Sequence, residues 1–130
     1  MTTTRARPGL ATRVVARCYE DGEFRIAARF WDGGVSLALP GAPVALALVG
    51  GEPSLGAENG GPASLEFTAP DDVWAKLLSP VPPPMFNDLS PAATAGLRFT
   101  GDFETYWQYY PALRRLIDLV REEWNADGTV

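Results

Sequence analysis

Thirteen glycines and twelve prolines are spread through 130 residues, so no secondary-structure element runs far before it meets a residue that breaks it. Glycine supplies the positive φ of tight turns, and proline lacks the amide proton that a helix interior or a central strand uses. The breaks fall at Asp21-Gly22, Asp32-Gly33-Gly34, Pro40-Gly41-Ala42-Pro43, Gly50-Gly51, Ser79-Pro80 and Val81-Pro82-Pro83-Pro84. Between them lie short segments, each the length of one strand or one modest helix. Hydrophobic residues make up 46% of the chain, which is enough apolar side chain for one core without disulfide or metal staples.

The hydrophobic period within each segment assigns its type. Leu10, Val14, Val15, Cys18 and Tyr19 recur at helical spacing and predict an opening amphipathic helix. From Glu23 to Trp31 the pattern alternates, with Phe24, Ile26, Ala28 and Phe30 on one face, and predicts a half-buried strand. Asp32-Gly33-Gly34 then reads as a hairpin turn into a strand carrying Val35, Leu37 and Leu39. Val44 to Val49 is an apolar run of strand length, and residues 52–62 read as loop. Leu65 and Phe67 mark a fourth strand, after which Val73, Trp74, Leu77 and Leu78 share one face of a short helix. Ser90-Pro91 is expected to open another short helix that Gly96 closes. Leu97 and Phe99 mark the last strand. Asp102 should cap a C-terminal helix whose apolar positions are Phe103, Tyr106, Trp107, Tyr110, Leu113, Ile117, Val120 and Trp124, with Pro111 kinking or splitting it.

Three stretches in this order resemble the sterol carrier protein 2 family: Phe24-Arg25-Ile26 running into Trp31-Asp32-Gly33-Gly34; Ser64-Leu65-Glu66-Phe67-Thr68 before the Trp74 helix; and Gly96-Leu97-Arg98-Phe99-Thr100-Gly101-Asp102. The resemblance spans most of residues 10 to 120. It implies an α+β fold, a curved five-stranded sheet with helices over one face, enclosing an apolar tunnel. The first helix is short and the last unusually aromatic for that pattern. A single domain over residues 10–124 is expected, with flexible ends at 1–9 and 125–130.

Composition removes several functions. Eleven basic against sixteen acidic residues give a net charge of −5, which repels a nucleic-acid backbone. With no histidine and only Cys18 as cysteine, the commonest metal ligand and general base is missing and no intrachain disulfide can form. No signal-peptide core, membrane-spanning stretch or peroxisomal C-terminal tripeptide is read in the sequence, so a cytoplasmic protein without integral membrane association is expected.

The candidate site is therefore an apolar one. Trp74, Leu77, Leu78, Met85 and Phe86 are placed at a cavity mouth, and Phe103, Trp107 and Tyr110, with Tyr106 and Tyr109 beside them, offer aromatic faces with polar tips. The predicted function is non-enzymatic binding or transfer of a fatty-acyl, sterol-like or polyketide-like ligand, with no catalytic residue, cofactor or metal. Two alternatives stand beside it. One is an accessory or dimerisation module that docks a partner enzyme; the other is a small cofactor-free isomerase or lyase drawing on Asp88, Asp102, Glu104 or Tyr106. Further expectations are the joint burial of Ile26, Leu37, Leu65, Phe67, Leu97 and Phe99 on one sheet face, and a solvated face at Arg114-Arg115 and Arg121-Glu122-Glu123. Arg25 and Arg29 are expected on one strand face, and Trp31 on the face opposite Phe24, Ile26 and Phe30, where a helix or a dimer partner would cover it.

Overall fold

In the computed structural model, which describes residues 9–56 and 64–127, the first helix α1 (Leu10–Glu20) stops at Asp21, and that residue starts a second helix instead of a turn. The Asp21 carboxylate accepts the amide proton of Phe24 at 2.8 Å, which caps α2 (Gly22–Ala28). The strand expected over Glu23–Trp31 is thus a helix. The two periods agree at Phe24 and Ala28, four residues apart, and both are buried. They disagree at Ile26, which a strand would bury and which α2 leaves 65% exposed.

The five-stranded sheet is complete without that segment. Its strands are β1 (Gly33–Leu37), β2 (Val44–Val49), β3 (Glu52–Leu55), β4 (Ser64–Thr68) and β5 (Arg98–Thr100), in the order β3-β2-β1-β4-β5. β1 and β4 run parallel, and the other neighbours are antiparallel. The fold is α+β, a mixed sheet packed with helices. The missed strand is β3, hidden by Pro53 inside a segment of loop composition. Proline is tolerated there because β3 is an edge strand. Gly50 and Gly51, both at positive φ (58° and 80°), close the β2–β3 hairpin, as a two-residue turn of this hand requires. A Cβ on Gly51 would stand 2.6 Å from the Ala28 carbonyl oxygen, so this turn also nests against the end of α2. Asp32-Gly33-Gly34 is not a hairpin turn. It leads from α2 into β1, and the Asp32 carboxylate accepts the Gly50 amide at 2.7 Å. Residues 57–62 of the expected loop, and the ends at 1–8 and 128–130, lie outside the described residues.

α3 (Asp71–Leu77), α4 (Leu89–Ala93), α5 (Phe103–Gln108) and α6 (Tyr110–Asp127) complete the chain. Asp88, not Ser90, caps α4, its carboxylate accepting the Leu89 amide at 2.7 Å. Pro111 splits the last helical stretch: α5 ends at Gln108, and Pro111 becomes the second residue of α6, where no intrahelical amide is needed. One core joins Leu10, Val14 and Cys18 of α1, Phe24 of α2, Val35, Leu37, Leu46, Leu48, Leu65 and Phe67 of the sheet, Trp74 and Leu77 of α3, and Leu113, Leu116, Ile117 and Val120 of α6. Of the six residues expected to share a buried face, Leu37, Leu65, Phe67 and Leu97 are buried and Phe99 is half-buried; Ile26 alone points outward. Trp31 is buried as well, stacked on Tyr109 with ring centroids 4.6 Å apart and planes 4° from parallel. An outer-face dimer contact through its ring is therefore ruled out.

The charged residues of α6 do more than face water. Arg115 forks onto Asp21, Nε to Oδ2 at 3.0 Å and Nη2 to Oδ1 at 2.8 Å. Glu123 accepts from Arg13 and Arg17 of α1, and Glu122 from Arg17. Arg121 donates to the Leu77 carbonyl at 2.8 Å, and Asn125 to the Leu78 carbonyl at 2.7 Å, so α6 caps the C-terminus of α3. Arg114, with 60% of its side chain exposed, and Glu122, with 53%, fit the solvated face expected of this group. Arg25 and Arg29 sit on α2 and at its end, where their guanidinium groups lie over the rings of Tyr19 and Phe30.

Candidate functional site

Asp102 organises the site from the start of α5. Its carboxylate accepts the Thr105 amide at 2.9 Å and the Thr105 hydroxyl at 2.7 Å, and the hydroxyl, followed by the amide, holds the Asp102 pKa below its ordinary value. With α5 started there, Phe103, Tyr106 and Trp107 fall at i, i+3 and i+4 on one face. β5, immediately upstream, delivers Phe99 beside them. Ring centroids lie 4.8 Å apart for Phe99 and Tyr106, 5.0 Å for Tyr106 and Trp107, and 6.1 Å for Phe103 and Trp107. Phe67 continues the cluster into the core, 5.4 Å from Phe99. Asp102→Ala is expected to lower the melting temperature by about 3 °C while ligand binding survives. Thermal melts and a binding titration on the same variant check this; an unchanged melt with binding lost would give Asp102 a direct role.

These rings enclose a cleft of about 340 Å³, lined by Ala93, Leu97, Phe99, Phe103, Tyr106 and Trp107. Phe103 stays 63% and Trp107 52% exposed, although each touches other rings. No acidic or basic residue lines the cleft. Behind Trp107, Tyr110 carries the polar end of the cluster: its hydroxyl donates to Asp88 Oδ1 at 2.7 Å, and Arg114 Nε lies 3.3 Å from Oδ2 of the same carboxylate.

The predicted site residues do not share one tunnel. Phe103 and Trp107 line the aromatic cleft, with Tyr110 packed on Trp107. Trp74, Leu77 and Leu78 are fully buried between the helices and the sheet, and Trp74 and Leu78 form part of the wall of a second cavity of about 510 Å³. Met85 is half-exposed at φ 77°, and Phe86 is half-buried beneath the Lys76 ammonium; neither lines either cavity. The layer between sheet and helices is filled: Phe24, Phe67, Trp31, Trp74 and Leu46 each keep 1% or less of their surface. Leu97, Phe99 and Ala93 were absent from the predicted set. The alternation of Leu97 and Phe99 marked them as inward-facing, but sequence could not show that β5 is an edge strand whose inner side opens to solvent.

Of the acidic residues considered for chemistry, two have structural partners and Glu104 is exposed in the first turn of α5. Asp88 and Asp102 cap helices, and Cys18 is a buried thiol whose pKa is pushed up to about 12 by burial. No group of three or more His, Cys, Asp or Glu side chains placed to hold a metal occurs among the described residues. No helix among them is long and apolar enough to cross a membrane.

Two solved structures are similar to this one. A conserved hypothetical protein of Thermus thermophilus, described as a possible sterol carrier protein, superposes with a TM-score of 0.68 at 21% sequence identity, covering 94% of this chain and 91% of its own. A crystal structure of sterol carrier protein 2 also superposes with a TM-score of 0.68 at 21% identity, over 88% of this chain and 95% of that one. The chain has the sterol carrier protein 2 fold. No family model and no curated protein matches the sequence.

Proposed function

We propose that this protein binds an apolar, lipid-like molecule reversibly in the aromatic cleft between β5 and α5, without catalysing a reaction on it. The observation that carries this reading is the convergence of Phe99, Phe103, Tyr106 and Trp107 on one cleft with two of the four rings left more than half in water. Large aromatics are normally withdrawn from solvent, and a contiguous exposed group of them marks a surface that something else covers. Each 200 Å² of apolar surface removed from water supplies roughly 5 kcal/mol of gross driving force. At about 340 Å³ the cleft is near the small end of ligand sites, so it holds one segment of a long ligand or the whole of a compact one. The shared fold with sterol carrier protein 2 agrees with this reading. A fatty-acyl, sterol-like or polyketide-like molecule is the expected class, in a protein acting in the cytoplasm.

Long-chain acyl and steroid compounds should shift the tryptophan emission to the blue and saturate, because ligand displaces water from the Trp107 indole. Short charged metabolites should leave it unchanged. Trp107→Ala should weaken binding at least about tenfold while the far-ultraviolet circular dichroism stays the same. The reading fails if no apolar compound saturates, or if Trp107→Ala unfolds the domain. The filled layer between sheet and helices favours a second reading, an accessory module that docks a partner enzyme through the same exposed rings. Under that reading Trp107→Ala abolishes association with the enzyme and no small molecule saturates.

A further inference from the structure

We propose that this protein associates with a second copy of itself edge to edge, β5 against β5 about a twofold axis, so that the two sheets become one. The inference is independent of any ligand and starts from the direction in which the β5 backbone points. Phe67 of β4 is paired to β1, since its carbonyl accepts the Ala38 amide at 3.0 Å. Backbone groups of successive strand residues point to opposite sides, so those of Glu66 and Thr68 face β5. Their partners in the antiparallel register are Thr100 and Arg98. The N–H and C=O of Phe99 therefore point away from β4, to the free edge of the sheet, where no hydrogen bond meets them among the described residues.

The opposite edge of the sheet is closed. The Gly56 amide donates to the Ala45 carbonyl at 2.9 Å, which continues the β2–β3 register and turns the backbones of Glu52 and Ser54 towards β2. Pro53 and Leu55 face outward; Pro53 has no N–H to offer there, and α1 packs against this strand. β5 has neither device.

The occupant follows from what the β5 edge presents. In an antiparallel pair centred on Phe99, each copy's Phe99 N–H meets the other's Phe99 C=O, giving two hydrogen bonds about the axis. That register sets Arg98 opposite the partner's Thr100. Beyond it, on the same outer face, lies the cross-strand neighbour of that threonine, the partner's Glu66. Two strand spacings are roughly 10 Å, which an arginine and a glutamate side chain span together. Arg98 is exposed and, like Glu66, makes no ion pair or side-chain hydrogen bond among the described residues. The twofold axis supplies each Arg98 with a carboxylate. On the other face the two Phe99 rings stand side by side, so the aromatic clefts of the two copies adjoin. With two hydrogen bonds and two ion pairs, this contact belongs with the small, transient interfaces.

The test is sedimentation equilibrium at low salt, where ion pairs of this kind count most. The wild type should pass from monomer to dimer as protein is raised to about 1 mM. Arg98→Glu places like charges opposite each other at both ends of the pair, and so does Glu66→Arg; each should weaken the dimer at least about tenfold while the far-ultraviolet circular dichroism stays the same. An equal mixture of the two variants should dimerise at a concentration where neither does alone. In that heterodimer every arginine at these positions faces a glutamate, and a change within one chain would not produce this rescue. Amide hydrogen exchange supplies a second readout: the Phe99 amide should exchange more slowly in the dimer than in dilute protein. The proposal is overturned if the wild type remains monomeric to about 1 mM. It is overturned equally if both variants dimerise as the wild type does, or if the mixture behaves as its components do. A dimer whose Phe99 amide exchanges as in the monomer would place the contact on another surface and also overturn it.

Discussion

Phe24→Ala is expected to destabilise the protein by about 3–5 kcal/mol, whereas Ile26→Ala, two residues on, should change stability by no more than about 0.5 kcal/mol. Phe24 is completely buried on the inner face of α2, in contact with the core, and truncating it leaves a cavity the size of a benzene ring. Ile26 is 65% exposed on the outer face of the same helix, so its side chain makes little of the buried contact that a truncation would remove. A strand over the same residues would put both side chains on one inner face and demand comparable losses from both. Urea denaturation of the two variants therefore measures which period this segment obeys. Equal losses would mean that residues 22–28 are not helical in solution.

That contrast also shows where the sequence stops being legible. A helix and a strand both bring i and i+4 to the same side, so Phe24 and Ala28 agree with either, and a seven-residue helix offers too few positions to separate the periods. The deciding signal was Asp21, whose carboxylate accepts an amide three residues on. Asp-Gly is also a turn dipeptide, and the cap became visible only with Arg115 of α6 brought alongside. β3 was missed for the opposite reason: proline and glycine mark loops locally, while the edge position that makes Pro53 acceptable is a property of the whole sheet. Where the local pattern and tertiary demand coincide, as at β4, α3, the Asp102 cap and the break at Pro111, the elements were readable from the residues alone. The site was legible in chemistry and not in layout. Aromatic and apolar residues at helical spacing announced apolar surfaces, but spacing along α3 and α5 carries no information about whether their faces meet across one space. They line two, because Phe67, Phe24 and Trp31 occupy the layer that a single tunnel would need.

Asp21 should be the most sensitive charged position, and its effect should depend on pH. The side chains of Asp21 and Arg115 are only 16% and 24% exposed, and the bidentate contact ties the α1–α2 junction to α6 while the same carboxylate caps α2. Asp21→Ala removes the cap and leaves the guanidinium without its principal partner in a half-buried setting, at a cost of about 2–4 kcal/mol. Arg115→Ala retains the cap and should cost about half as much. The double variant should lose less than the two single losses added together, because the pair can be removed only once. The Arg115 hydrogen bond, first, and the Phe24 amide hold the Asp21 pKa below its ordinary value, with burial opposing them. A carboxylate favoured in the folded state contributes its stability in full above the unfolded pKa, about 3.9, and loses it as pH falls through the lower folded value. Wild-type stability should therefore fall more steeply than that of Asp21→Asn as pH is lowered from about 5 towards 2, since the amide has no proton to gain. Arg115→Ala should narrow this difference by removing the main cause of the lowered pKa. Thermal melts across that range would show it, and superimposable acid limbs for wild type and Asp21→Asn would mean that the Asp21–Arg115 pair does not hold α6 to the first two helices.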